Sequence, residues 1–153
     1  MANGQIEGLD DIIRKLKLLP ERIGRNATRR ALRKGANVIR DAARNNAKRI
    51  DDPATREQIW KNIAVYGGGR RREKAAGGVI MRVGVRGGAR FDPSADGLPG
   101  GNTTGHWRFV ELGTSEMRAQ PFLVPAGAEK AGAAVTAIVA DLNVQIDKEV
   151  AKL

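Results

Sequence analysis

Residues 21–49 constrain the fold of this chain more than any other stretch. They contain no proline and keep an amphipathic pattern for about eight helical turns. At 100° per residue, Ile23, Ala27, Ala31, Leu32, Val38, Ile39 and Ala42 share one broad face. Arg22, Arg25, Arg29, Arg33, Arg40 and Arg44 gather on the opposite face, while Lys34 and Arg49 do not obey the split. The apolar face is rich in Ala, which favours helix and permits close approach by a neighbouring element. Gly35, in the middle, costs about 1 kcal/mol relative to Ala.

The remaining elements arrange themselves around this helix. Leu9, Ile12, Ile13, Leu16 and Leu19 recur at helical spacing and predict a short amphipathic helix over 9–19. Pro20 interrupts it and suits the first turn of the next helix. Asp51, Asp52 and Pro53 end the long helix. Thr55 and Gln58 have capping-box spacing, so a short helix can start at Arg56. Ile63, Val65 and Tyr66 suggest a strand, and Val79, Met81, Val83 and Val85 alternate with Ile80, Arg82, Gly84 and Arg86 in a second. Between them, Gly67–Gly69 followed by Arg70–Arg72 reads as a flexible basic loop closing an antiparallel hairpin. Trp107 and Phe109 alternate with Arg108 and Val110, which predicts a third strand. Val135, Ile138, Val139, Leu142, Ile146 and Val150 mark one face of a closing helix over 126–151.

These elements predict an α+β fold. A small antiparallel sheet of three or more strands packs with a long N-terminal helix and a C-terminal helix. At 153 residues the chain is expected to form a single domain. Aromatic content is 4%, so the core must be aliphatic and partly built from Ala. Residues 67–105 hold 12 of the 19 glycines, so 67–78 and 87–105 are expected to be mobile loops. No run of about 18 apolar residues predicts a membrane span. The start, MANGQIEGLDD, lacks the basic-then-apolar pattern of a signal peptide. The absence of cysteine excludes disulfides and thiolate metal sites, and it fits a reducing cytosol.

The net charge of +10 is unevenly distributed. Residues 1–50 carry +8, residues 51–105 carry +3, and residues 106–153 carry −1. An asymmetric basic chain suggests a polyanionic neighbour, most often nucleic acid. Six arginines on one helix face could neutralise phosphates. They lack the aromatic interleaving of a base-stacking surface and show no helix-turn-helix spacing. Non-specific contact with DNA and an ordinary solvated face both remain open.

Residues 106–126, HWRFVELGTSEMRAQPFLVPA, concentrate the rare residues. His106 and Glu111 are the only pair resembling acid–base or metal chemistry. A five-residue offset along a strand would place them on opposite faces, and a metal site needs more ligands. Gly67–Arg70 lacks the Lys-Ser/Thr ending of a phosphate loop. No catalytic, cofactor or metal site is therefore expected. Gly113 permits a turn with positive φ, and Thr114 can close that turn through its hydroxyl. Glu111 can accept backbone amides or pair with an Arg. Pro121 and Pro125 bias the residues before them to extended conformation, orienting Phe122 and Leu123 into an apolar contact. The segment reads either as a defined fold corner or as a subunit interface.

Two motifs in this segment carry a family resemblance. They are Phe109-Val110-Glu111-Leu112-Gly113-Thr114 and Pro121-Phe122-Leu123-Val124-Pro125-Ala126. With the Leu-rich first helix, the basic Ala-rich second helix and the Ile/Val strand, the chain resembles tail-completion or head–tail connector proteins of long-tailed bacteriophages. These are the small "gene product ten-like" neck proteins, similar in role to the minor tail protein Z of lambda. A Thr-Gly-x-Leu pattern before the strand is only partly matched by Thr55-Arg56-Glu57-Gln58-Ile59, and the 87–105 insert is long for the family.

The resemblance implies a structural virion protein of the neck, not an enzyme. It implies a homo-oligomeric ring, expected as a hexamer, that completes the tail end, contacts neighbouring neck and tail proteins and surrounds the DNA path. It also implies a place at the tail top in the virion, with assembly in the host cytoplasm. A tail-terminator or head-closure protein of the same neck is the nearest alternative. A small basic DNA-binding protein using the arginine stripe is the alternative of a different class.

Overall fold

The computed structural model describes residues 8–51, 58–86 and 106–152. Its frame is a pair of long helices, α2 (Glu21–Ile50) and α6 (Leu123–Val150), which make the most extensive packing in the molecule. A shorter helix, α1 (Leu9–Leu18), leans on α6 and the start of α2. After α2 comes a single helical turn, α3 (Ile59–Asn62), which leads directly into β1 (Ile63–Gly67). Helix α4 (Arg70–Ala76) connects β1 to β2 (Met81–Val85), and α5 (Trp107–Leu112) precedes α6.

Alanine sets the closeness of the helix pair. Among the described residues, seven of the fourteen buried apolar side chains are Ala, including Ala27, Ala31, Ala43 and Ala47 on α2 and Ala126 and Ala134 on α6. Gly35 sits at a close contact between the two helices. A Cβ there would lie 2.5 Å from Ile138 Cγ1 and 2.8 Å from the Ala134 carbonyl oxygen. Its helix-propensity cost is thus exchanged for helix contact.

The core has two parts along α2. Toward the N-terminal end, Ala27 and Ala31 pack with Ile12 and Leu19 and with Leu142 and Ile146 of α6. Lys15 ties α1 to α6, with its Nζ 3.2 Å from both Asp11 and Asp147. Toward the C-terminal end, Ala43 and Ala47 meet Ile59, Ile63, Phe122 and Ala126, with Val83, Val85, Trp107 and Val110 around them. The low aromatic content is met by spending one fully buried Phe122 at this second centre.

The sheet differs from expectation. It has two antiparallel strands among the described residues, with Ile63 opposite Val85 and Gly67 opposite Met81. The hairpin is as expected, but a third strand is not found. Residues 107–112 form helix α5 instead, because a four-residue alternation is too short to fix the period and tertiary packing decides it. Nor is the hairpin connection a plain loop. Gly69 (φ +82°) and Gly77 (φ +66°) bracket the seven-residue helix RRREKAA. Residues 87–105 and Thr55, and with them the second expected mobile loop and the expected capping box, lie outside the described residues.

Helix α6 also qualifies the expectation about membranes. Its best 18-residue window has a mean hydropathy of 1.3, so it is long and apolar enough to cross a membrane by length and composition alone. In this fold its Ala126, Ala134, Leu142 and Ile146 are buried, and α2 packs along its length. Only 11% of the window is buried, so much of its apolar surface faces outward.

Candidate functional site

The segment 106–126 folds into a closed corner between α5 and α6. Any helix leaves its first four N–H groups without an intrahelical partner. In α6 these belong to Phe122, Leu123, Val124 and position 125. Glu111, 6% exposed at the end of α5, takes three of them. Its Oε2 accepts the Phe122 amide at 2.7 Å and the Leu123 amide at 3.0 Å. Its Oε1 accepts the Val124 amide at 2.8 Å. The fourth position is Pro125, which has no N–H to satisfy. Phe122 itself offers no capping side chain. The carboxylate does that work from another element, and its negative charge suits a helix N-terminus.

The residues between Glu111 and Phe122 bring the carboxylate to that position. Gly113 ends α5 with φ +76°, donating its N–H to the Phe109 carbonyl at 2.8 Å. A Cβ on Gly113 would lie 2.8 Å from the Ala119 nitrogen and 3.0 Å from the Met117 oxygen. Thr114 then closes a turn: its Oγ1 accepts the amides of Glu116 (3.2 Å) and Met117 (3.0 Å), and its own N–H reaches the Met117 carbonyl. Gln120 donates its N–H back to the Val110 carbonyl at 2.7 Å. Asn46 of α2 reaches the Phe122 carbonyl at 3.3 Å, fastening the corner to the helix pair.

The two motifs therefore meet in space. Of the readings left open for Glu111, amide acceptance is the one observed. A carboxylate engaged by three backbone amides is occupied structurally, and His106 lies before α5 rather than across a strand from it. Among the described residues, no group of three or more His, Asp or Glu could hold a metal ion.

The corner turns apolar side chains outward. Leu112 is 75% exposed, Val124 67% and Phe109 48%, and Met117 is also exposed. These four lie within sixteen residues of sequence, around a turn that is closed by hydrogen bonds. Pro121 is exposed beside them, while Phe122 is completely buried.

The arginine stripe divides by role. Arg44 donates two hydrogen bonds to the Ile63 carbonyl, at 2.8 and 3.0 Å, and so fixes the start of β1. Arg40 is engaged by Asp41 and Asn37. Arg29 and Arg25 approach Glu73 of α4 at 2.8 and 3.6 Å, and Arg22 and Arg33 are exposed. Glu73 was not singled out by sequence reasoning. Its signal was a lone acid within the run RRREK, between a glycine triplet and a glycine pair. It is buried and also accepts the Ile80 amide at 3.4 Å. The hydrogen bond from Arg29 holds its carboxyl below the usual range against the opposing effect of burial, helped by the Ile80 amide and the charges of Arg29 and Arg25.

The chain matches a family model described as "Bacteriophage HK97-gp10, putative tail-component" over residues 10–113. The chain belongs to the HK97-gp10-like family. The match runs from α1 through Gly113, so it includes Glu111 and ends before the Pro121–Ala126 motif that Glu111 caps. The HK97-gp10-like assignment agrees with the resemblance carried by the residues. No curated protein and no solved structure matches the chain significantly.

Proposed function

We propose that this chain is a structural part of a phage tail, acting at the neck by assembly rather than by catalysis. The observation that carries this reading is the family match over 10–113. The corner supports it physically. A rigid turn that presents Phe109, Leu112, Met117 and Val124 to solvent is suited to contact with another protein chain. The outward apolar surface of α6 extends the same tendency.

In this reading, copies of the chain form a ring, expected as a hexamer, at the top of the tail. The ring completes the tail end and lets head and tail join. Its partners are further copies of itself and neighbouring neck and tail proteins. The protein is made and assembled in the host cytoplasm and then resides in the virion.

Substitution at the corner tests the reading. Leu112→Asp changes an exposed side chain and is expected to leave the monomer's circular dichroism and thermal transition unchanged. Supplied to particles that lack the wild-type protein, it is expected to fail to restore joined, infectious virions. Full restoration by a Phe109→Ser/Leu112→Asp double variant would remove the corner from the assembly surface.

A further inference from the structure

Glu73 joins two basic runs that lie far apart in sequence. Its carboxylate receives Arg29 at 2.8 Å and lies 3.6 Å from Arg25. Helix α4 is thereby held against the N-terminal half of α2. Gly68 lets the two ends of the connection that carries α4 come together, because a Cβ there would lie 2.6 Å from Ile80 Cβ. Arg70, Arg71 and Arg72 belong to the same short helix as Glu73 and are exposed, as are Arg22 and Arg25 of α2. Glu21, Arg22, Arg25, Asn26 and Arg29 line an open cleft of about 320 Å³ on this surface. Together with Arg70, Arg71 and Arg72 of α4, these residues carry six guanidinium groups against the two carboxylates of Glu21 and Glu73.

We propose that this composite surface of α2 and α4 binds the sugar-phosphate backbone of duplex DNA without reading its sequence. All six cations are arginine, whose planar fork suits phosphate oxygens. Arg22, Arg25 and Arg29 recur every three to four residues, a step of about 5 Å along the helix. Such a row matches a partner of high linear charge density, and duplex DNA carries one charge per about 1.7 Å of axis. No aromatic side chain lines the cleft, so it offers no stacking platform for unpaired bases. Every residue lining the cleft is polar or charged, so it lacks the apolar face of a membrane-binding helix. This inference does not rest on the tail reading, since DNA binding by the isolated protein can fail with assembly intact.

Fluorescence anisotropy of the full chain with two unrelated 30-base-pair duplexes tests it. The wild type is expected to bind both equally and to weaken steeply between 50 and 200 mM salt. Arg22→Glu/Arg71→Glu is expected to reduce the log–log salt slope by about two. Arg118→Glu/Lys130→Glu makes the same charge change at exposed positions toward the other end of the helix pair, and is expected to leave the slope unchanged. Far-UV circular dichroism establishes that both variants keep the fold. No duplex binding by the wild type at 50 mM salt would overturn the proposal. So would equal losses in the two double variants, or displacement of DNA by polyglutamate at equal total charge.

Discussion

The Glu111 carboxylate and the Phe122 amide lie 2.7 Å apart, and this bond joins the end of one helix to the beginning of the next. Both residues are buried, and both belong to motifs that are separated in sequence by a turn. With Leu123 and Val124 also held, the carboxylate supplies every partner that the first turn of α6 needs. The side chain that fills the second core is therefore positioned by the corner that exposes Leu112.

Removing the carboxylate leaves three buried or half-buried amides without partners. Glu111→Ala is expected to cost about 2–4 kcal/mol, combining a lost helix cap with charge-assisted hydrogen bonds. Glu111→Gln keeps the shape and one acceptor oxygen, so it should recover part of that loss. Urea denaturation measures both. An alanine variant within about 0.5 kcal/mol of wild type, the range of neutral surface changes, would contradict the capping role.

Gly113 is required twice over, by its φ of +76° and by the closeness of Ala119. Gly113→Ala is expected to destabilise by about 1–3 kcal/mol, since a non-glycine residue must hold a left-handed conformation and displace backbone atoms. Gly127, which has nothing within 4 Å of an added Cβ, provides the contrast. Gly127→Ala should be neutral or stabilising by up to about 1 kcal/mol through helix propensity. Thermal denaturation of the two variants compares them.

Gly35→Ala sets propensity against packing within one helix. Propensity favours Ala by about 1 kcal/mol, while the new methyl would overlap Ile138 and the Ala134 carbonyl oxygen. The carbonyl belongs to the α6 backbone and cannot move alone, so packing wins. A net loss of about 1–3 kcal/mol is expected. Adding Ile138→Val should recover less than half of it, because the carbonyl contact remains. Denaturant midpoints of the single and double variants read this out.

These substitutions also mark where the sequence was legible. The faces of α2 and α6 could be read in part: Ala27, Ala31, Leu142 and Ile146 are buried as the period predicts, whereas Val135 and Val150 are exposed and the small residues Ala43, Ala47 and Ala134 are buried instead. The hairpin could be read from the alternation over 79–86. Helix α5 could not, since Trp107 to Val110 alternates for only four residues. The better signal there was Gly113 as a helix stop followed by Thr114. Helix α4 was hidden for a related reason: its flanking glycines resemble a loop until they are taken as the start and stop of RRREKAA. Glu111 could be read as an amide acceptor, but not as the acceptor of those particular amides. That pairing depends on a fold that brings residue 111 to residues 122–124. The arginine stripe looked uniform because helical spacing says nothing about partners such as Ile63 and Glu73.

Glu73 gives a pH dependence with a definite sign. Its folded-state pKa is lowered, first by the hydrogen bond from Arg29. The associated stability is present above the ordinary Glu value of about 4.3 and is lost as pH falls from there through the lowered native value. Glu73→Gln should therefore be less stable than wild type at pH 7, with the difference narrowing below about pH 4.3. Thermal melts between pH 3 and 7 measure it. A difference independent of pH would contradict the ion pair's contribution.

Electron microscopy of particles made without this protein tests the central claim most directly. Assembly at the neck requires that such lysates contain filled heads and separate tails, and that the wild-type protein supplied afterwards restores joined virions. Normally joined, infectious particles in its absence would contradict the account.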